Sequence, residues 1–257
     1  MSVKYIFCIS TGRCGTDYLC GLFNQLDKCN AFHEQKPLLH NEQMRTYLNG
    51  NKEALREQLP LKLTKIFKEP SKLFVDTSHL FIKGFGWELP NHIAQPEIGV
   101  IILKRPKEEV VKSTQRVQSG PFSYKGRKWI MVPYRNALVQ PPINRFWYSL
   151  YRYVLKFFWF FKGELHSEIQ TYPKFFEKKS EALLKWYYDE TYALSEKFKK
   201  DFPQITYINV TLEELNTIEG FTRIIDIFNL REICDLEKIK PIIGKAKNLK
   251  REFNKKQ

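Results

Sequence analysis

Several patterns that would narrow the function at once are missing from this chain. Its five cysteines form no CxxC pair, and its five histidines show neither an i, i+4 spacing nor a carboxylate motif. No metal-ligand cluster is therefore predicted, and reduced thiols in a cytoplasmic protein are the simplest expectation. A basic region followed by a long apolar region is also missing near the N-terminus, so we expect no signal peptide.

Acidic residues are in short supply as well. The chain has 28 Asp and Glu against 42 Lys and Arg, and its net charge of +14 favours an anionic partner such as a nucleotide, a nucleic acid, a membrane surface or an acidic acceptor.

Its 257 residues, 43% of them hydrophobic, can bury one full core, so we expect one domain over residues 1–257. Residues 119–172 are the least sheet-like part and are predicted to be an insertion.

The stretch from Lys4 to Leu26 predicts a strand, a short loop and a helix. Its first residues are apolar or β-branched, the polar loop Ser10–Gly15 follows, and apolar residues then recur at helical spacing. This order makes a phosphate cradle, because the loop N–H groups and the helix N-terminus point at one anion. Two glycines allow close backbone approach, and two side chains add a charge and a hydroxyl: Gly12, Gly15, Arg13 and Thr16.

Two common phosphate-site chemistries do not fit this loop. A Walker A loop has a lysine directly after its last glycine, whereas Gly15 is followed by Thr16 and Asp17. A thiol phosphatase needs one more residue between its cysteine and its arginine than the four that separate Cys8 from Arg13. An ordinary ATPase and a thiol phosphatase are both disfavoured.

The loop resembles the 5′-phosphosulfate loop of the sulfotransferases, whose pattern is a basic residue, a small residue, Gly, Thr, usually Ser or Thr, and an aromatic residue. The matching residues are Arg13, Cys14, Gly15, Thr16 and Tyr18, and Asp17 departs from the pattern by replacing a hydroxyl with an acid. The resemblance implies an enzyme that uses 3′-phosphoadenosine 5′-phosphosulfate (PAPS) and moves its sulfuryl group to an acceptor hydroxyl or amine. The acceptor, whether a glycan, a lipid or a small molecule, stays open.

Strands and helices alternate along the rest of the chain. Strands are predicted at Lys28–Phe32, Leu73–Asp76, Gly99–Lys104 and Ile205–Val210, and helices at 41–68 with interruptions at Gly50 and Pro60, at Lys107 to about Val117, at Ser180–Lys200 and at Leu212–Leu230. This alternation predicts an α/β three-layer sandwich with a central, mainly parallel sheet. The resemblance adds that the fold is P-loop nucleotide hydrolase-like.

A second anion site is expected where the strand Gly99–Lys104 ends. In sulfotransferases an Arg at such a strand end and a Ser eight residues later hold the 3′-phosphate, and Arg105 and Ser113 have this spacing. The family often closes the nucleotide site with a C-terminal loop of glycine and basic residues, to which Gly244–Arg251 could correspond. The resemblance thus implies nucleotide contacts from Gly12, Arg13, Cys14, Gly15, Thr16, Asp17, Arg105, Ser113, Lys245 and Lys247.

The same resemblance implies the catalytic roles. Arg13 would stabilise the bridging oxygen as it becomes a leaving group, and no metal is required. Two residues compete for the role of base. Glu34 resembles the catalytic glutamate of the protein-tyrosine and glycan sulfotransferases, and His79 resembles the histidine of the cytosolic small-molecule enzymes. Position favours Glu34, whereas histidine is the better proton acceptor near neutral pH, so both are kept with Glu34 first.

Residues 144–162 are strongly aromatic, with one narrow polar stripe formed by Arg145, Ser149, Arg152 and Lys156. The four basic residues of this segment make it poor as a membrane-spanning helix. It is expected to be an interfacial helix in peripheral contact with a membrane, a wall of the acceptor site, or a buried helix whose basic side chains snorkel outward.

Two functions of other classes are kept as alternatives. A P-loop nucleotide kinase-like enzyme would need ATP and Mg²⁺, and its weakness is the missing Walker lysine. A non-catalytic basic module would bind anionic membranes or nucleic acid through residues 144–162 and the basic tail. The sulfotransferase interpretation expects no specific nucleic-acid partner.

Overall fold

A five-stranded parallel sheet forms the centre of the molecule. The computed structural model describes residues 3–165, 167, 170 and 172–245. The strands lie in the order β2-β3-β1-β4-β5, and β1 pairs with both β3 and β4. Their bounds are β1 Tyr5–Ile9, β2 Cys29–Phe32, β3 Leu73–Asp76, β4 Ile98–Lys104 and β5 Thr206–Thr211. The predicted α/β class and parallel sheet are confirmed.

Helices cover both faces of this sheet. In β1, Tyr5, Phe7 and Ile9 belong to one apolar core and Ile6 and Cys8 to another, because successive strand residues point to opposite faces. The helices are α1 Thr16–Phe23, α2 Asn41–Leu48, α3 Glu53–Ile66, α4 Lys107–Arg116, α5 Arg145–Phe161, α6 Lys174–Asp201, α7 Leu212–Leu215, α8 Ile218–Ile227 and α9 Leu236–Ile239. The first core is filled from α3, α5 and α6 and the second from α1 and α8, which gives three layers.

Two helices differ from their predicted bounds. Helix α2 ends before Gly50, whose φ is 102°, but α3 continues through Pro60, so the predicted interruption there is wrong. Proline removes one backbone hydrogen bond, and burial of Leu55 and Ile66 on either side of it holds the helix together. Helix α6 begins at Lys174 instead of Ser180, because the buried Phe176 extends its apolar face by about two turns.

Helix α5 presents most of its aromatic residues to solvent. Six of them form a surface that we call the aromatic face, namely Phe146, Trp147, Tyr153, Phe157, Phe160 and Phe161, and Leu150 and Val154 are exposed among them. The opposite side packs on the molecule through Tyr148, Arg152, Leu155 and Trp159. Arg152, from the predicted polar stripe, is only 9% exposed. The helix thus covers the core with one side, and Arg145, Lys156 and Lys162 point outward as the buried-helix interpretation expects, but Arg152 and the aromatic face depart from it.

Among the helices of the described ranges, none has the length and apolar character needed to cross a membrane.

Candidate functional site

Four of the predicted site segments meet at one edge of the sheet. Because all strands are parallel, their carboxyl ends lie at the same edge, where open α/β sheets place their ligands. The loop Ser10–Gly15 follows β1, Glu34 follows β2, His79 follows β3 and Arg105 follows β4. Since β1 lies between β3 and β4, the loop is flanked by His79 on one side and Arg105 on the other.

The loop backbone has the conformation of an anion cradle. Gly15 is the N-cap of α1 with φ 96°, and a Cβ on it would lie 2.7 Å from Leu212 Cδ1. A Cβ on Gly12 would lie 3.4 Å from the His79 ring, so a larger residue would press on that ring. Gly15 has no side chain to accept hydrogen bonds from the first-turn N–H groups of α1, and these are therefore available to an anion.

The two predicted anion anchors touch each other. Arg13 Nε donates to Ser113 Oγ at 3.3 Å, and Arg105 Nη1 donates to the Arg13 carbonyl oxygen at 3.2 Å. Arg105 also forms an ion pair with Glu109 at 2.8 Å. Val110 and Val111 pack inward between Arg105 and Ser113, as the spacing predicts. Residues 13, 105 and 113 therefore form one cluster beside the loop.

A cavity of about 490 Å³ opens between the loop and the neighbouring strand ends. It collects most of the predicted site residues: Gly12, Arg13, Gly15, Thr16, Asp17, Glu34 and His79. The other residues of its wall are His33, Thr114, Val117, Ser119, Lys125, Trp129, Ile130 and Tyr187. A larger depression of about 630 Å³ over Gly50–Glu57 is shallow and contains none of the predicted residues.

Three predicted nucleotide contacts near the loop, Arg105, Ser113 and Cys14, do not line this cavity. Arg105 and Ser113 reach it only through Arg13. Cys14 is fully buried, with its Sγ 3.1 Å from Thr11 Oγ1, and burial raises the pKa of its thiol, so only its backbone can meet an anion.

The C-terminal segment approaches the loop only indirectly. Lys245 is exposed and lies outside the cavity wall, although the N–H of Gly244 donates to the Tyr18 hydroxyl of α1 at 2.8 Å. Lys247 falls outside the described residues.

Glu34 and His79, the two competing bases, are partners. Glu34 Oε1 lies 3.0 Å from His79 Nδ1, and the side chains are 22% and 9% exposed. Burial and the nearby Lys83 lower the pKa of His79 to about 4, against the opposing effect of Glu34. Burial alone would raise the pKa of Glu34, but the hydrogen bond from His79 and the surrounding positive charges lower it.

These shifts define one protonation state near neutral pH. His79 is neutral and donates its Nδ1–H to an ionised Glu34, which leaves the lone pair on Nε2 free to accept a proton. Nε2 also lies toward the loop, 3.5 Å from the position of a Cβ on Gly12. The arrangement therefore offers an oriented imidazole with a carboxylate behind it, and its lowered pKa makes it a weaker base than an ordinary histidine.

A second histidine binds the cradle itself. The Thr16 hydroxyl and His33 Nε2 are 3.0 Å apart, and both residues line the cavity. This contact ties the start of α1 to the segment after β2.

Sequence reasoning missed Lys83, which supports the wall of the cavity. Its side chain is fully buried and its Nζ donates to the Trp129 carbonyl oxygen at 2.8 Å and to the Tyr187 hydroxyl at 2.6 Å. Burial holds the pKa of Lys83 well below its usual range. The available signal was a lone lysine inside the otherwise apolar run Leu80–Phe85.

A buried ion pair, also missed, connects two of the site loops. Lys62 Nζ lies 2.7 Å from Asp76 Oδ2, and each side chain is 4% exposed. Asp76 Oδ1 accepts from the N–H groups of Ser78 at 3.1 Å and Gln35 at 3.4 Å, and Lys62 donates to the Gln35 carbonyl oxygen. The pair thus joins the segment that carries Glu34 to the turn that carries His79.

Within the described ranges, no group of three or more His, Cys, Asp and Glu side chains could hold a metal ion. Comparison of the chain with models of protein families, with curated proteins and with solved structures found no match in any of the three.

Proposed function

We propose that this protein is a P-loop-like sulfotransferase that moves the sulfuryl group of PAPS to an acceptor hydroxyl or amine. One observation carries the proposal. The glycine loop before α1, Arg13 and the Glu34–His79 pair follow three different strands and meet around one cavity, and Arg105 and Ser113, from the end of β4 and from α4, hold Arg13 from behind. Anion binding and proton acceptance are the two capacities that sulfuryl transfer requires.

The residues present fit the donor nucleotide. The first-turn N–H groups of α1 and the Thr16 hydroxyl would bind the 5′-phosphosulfate, and Gly12 and Gly15 leave room for it. Arg105 and Ser113 lie beside Arg13, where they would bind the 3′-phosphate.

Proton transfer would involve Glu34 and His79 in different roles, and we reverse the order expected from the sequence, which had Glu34 as the first candidate for the base, because Glu34 Oε1 lies against His79 Nδ1. In the transfer, the acceptor oxygen or nitrogen forms a bond to sulfur while the bond between sulfur and the bridging phosphate oxygen breaks. The acceptor proton goes to His79 Nε2, and adenosine 3′,5′-bisphosphate departs with the bond electrons. Arg13 stabilises the charge on that departing oxygen, and Glu34 holds the imidazole and stabilises its protonated form.

Asp17 opposes anion binding, because it adds a second carboxylate to a cavity wall that already contains Glu34. Its place in the first turn of α1 stabilises the helix through the macrodipole. An Asp17→Ser variant restores the common family pattern and should bind the nucleotide more tightly.

Thermal unfolding with adenosine 3′,5′-bisphosphate tests the proposal. We expect the ligand to raise the Tm, and Arg13→Ala to remove most of the shift, whereas Arg56→Ala, at an exposed arginine on α3, should keep it. Transfer of labelled sulfate from PAPS to cell-extract acceptors should fall by about 10²- to 10⁴-fold in His79→Ala. An unchanged Tm at millimolar ligand would overturn the proposal, and a shift only with ATP and Mg²⁺ would favour a nucleotide kinase.

A further inference from the structure

The aromatic face of α5 is held outward by the packing of the opposite side of the helix. The Tyr148 hydroxyl donates to the Pro121 carbonyl oxygen at 2.7 Å, and its ring stacks on that of Phe122 at 5.3 Å. Leu155 and Trp159 are fully buried on the same side. The rotation of the helix is therefore fixed, and Phe146, Tyr153 and Phe161 are each 70% exposed as a result. Such a contiguous apolar surface indicates a docking site.

A small basic pocket opens at the border of the aromatic face. It has a volume of about 150 Å³, and Arg127, Arg152 and Lys156 line it together with Ser149 and Tyr153. We call it the basic pocket. Tyr153 belongs to the aromatic face as well, so the two features are continuous.

The arginines of the basic pocket have no carboxylate partner among the described residues. Their Nε atoms are buried and have no hydrogen-bond partner in the part of the chain that the structure describes. Over the same residues, no carboxylate lies within ion-pair distance of Arg127, Arg152 or Lys156. Burial, together with the charges of Arg127 and Arg45, lowers the pKa of Arg152 to about 10. A buried cation beside a second, half-buried one is stabilised by an anion placed between them.

We propose that α5 docks on an anionic phospholipid bilayer, with the aromatic face in the interface and a lipid phosphate in the basic pocket. A phospholipid is the partner that joins an apolar body to a phosphate, as the aromatic face and the basic pocket are joined here. Phe, Trp and Tyr with flanking lysines are also the composition of interfacial helices. Lys156 lies over the Tyr153 ring at 5.7 Å and Lys162 over the Phe158 ring at 4.9 Å, where each ammonium can reach headgroups.

The overall charge favours the same partner over a second copy of this chain. With a net charge of +14 on each molecule, two copies repel, whereas an anionic surface attracts the protein.

The loop beneath α5 also connects the aromatic face to the candidate site, because Phe122 and Arg127 contact α5 and Trp129 and Ile130 line the cavity of the candidate site.

Vesicle flotation of the full chain tests the docking. We expect binding to an equal mixture of phosphatidylcholine and phosphatidylserine, weaker binding to phosphatidylcholine alone, and a decline with salt. Phe157→Glu with Phe160→Glu should lower partitioning to the mixture by about tenfold or more, since both side chains would leave the interface. Leu61→Glu is the matched control, because Leu61 is 62% exposed on α3 while Phe157 and Phe160 are 67% and 64% exposed.

The basic pocket has its own variants. The Lys156 side chain is exposed, so Lys156→Gln should leave the fold intact. The variant should bind the mixed vesicles about fivefold more weakly and should bind phosphatidylcholine vesicles as the wild type does. Arg56→Gln, at an exposed arginine of α3, should have a smaller effect than Lys156→Gln.

Three results would overturn the proposal. One is a wild-type protein that stays off mixed vesicles, including one that binds inorganic phosphate or an oligonucleotide instead. Another is equal vesicle binding by wild type and the double glutamate variant. The third is a concentration-dependent dimer in size-exclusion chromatography that the double glutamate variant dissociates, which would assign the aromatic face to a second copy of the chain.

Discussion

At the scale of single residues, His79 links protonation to stability. Its pKa of about 4 in the folded protein lies below the ordinary value of 6.5, so the unfolded chain takes up the proton first as the pH falls. The stability that it contributes is fully present above pH 6.5 and is lost progressively between pH 6.5 and about 4. At about 1.4 kcal/mol for each pKa unit, the loss approaches about 3 kcal/mol. The lowered pKa of Glu34 acts in the same direction.

His79→Asn should therefore flatten the stability profile on the acidic side. In wild type, the free energy of unfolding measured in urea should fall between pH 7 and pH 4.5. In His79→Asn, this fall should be smaller by about 2 to 3 kcal/mol. His92→Asn, at an exposed histidine, is the control and should follow the wild-type curve. Parallel curves for wild type and His79→Asn would contradict a buried, neutral His79.

Two glycines with similar backbone conformations allow the effect of backbone strain to be distinguished from a role in the site. Gly15 has φ 96°, and a Cβ added to it would clash with Leu212, whereas Gly50 has φ 102° and open space around it. Both Gly→Ala variants should lose about 1 kcal/mol to the left-handed backbone, and Gly15→Ala should lose more through the clash. Urea unfolding measures these losses. Only Gly15→Ala should also weaken nucleotide binding, and equal behaviour of the two variants would exclude a special role for Gly15.

At the scale of elements, the Lys62–Asp76 pair fixes the segments that follow β2 and β3. Lys62→Met leaves a buried carboxylate without its partner, so we expect a loss of about 3 to 5 kcal/mol in urea unfolding. Adding Asp76→Leu removes that carboxylate and should recover part of the loss. The exposed pair of Lys4 and Glu97 provides the control, because Lys4→Met should cost less than about 1 kcal/mol. A similar loss in the two lysine variants would contradict a structural role for the buried pair.

Strands β1, β3 and β4 were predictable because each is a short apolar run followed by polar residues, and all five strands lie within one or two residues of their predicted bounds. The helix errors have physical causes outside local sequence. Pro60 is tolerated because tertiary burial of Leu55 and Ile66 outweighs one lost hydrogen bond. Arg152 turns inward because the Phe122 carbonyl oxygen accepts its hydrogen bond, a contact between residues 30 positions apart.

At the scale of the whole molecule, the site consists of contacts between distant residues. Arg13 and Ser113 are 100 residues apart, and Lys83 and Tyr187 are 104 apart. Loop glycines, strand-end polar residues and their spacing predict which segments meet, because parallel strands end at one edge. They do not predict that Glu34 and His79 bind each other, nor that Lys62 and Lys83 are buried, since charged residues are usually read as exposed.

The nucleotide and the lipid are proposed to bind at two separate surfaces, so a variant at one surface should leave binding at the other unchanged. Arg13→Ala should remove the Tm shift caused by adenosine 3′,5′-bisphosphate and should still bind mixed vesicles. The double variant Phe157→Glu with Phe160→Glu should keep the Tm shift and bind the vesicles less. The reason is that the loop cavity and the aromatic face share no residue. If the +14 charge alone caused both kinds of binding, each variant would weaken both in proportion to the charge it removes or adds. Measuring the Tm shift and flotation on the same preparations decides between two separate sites and one diffuse attraction.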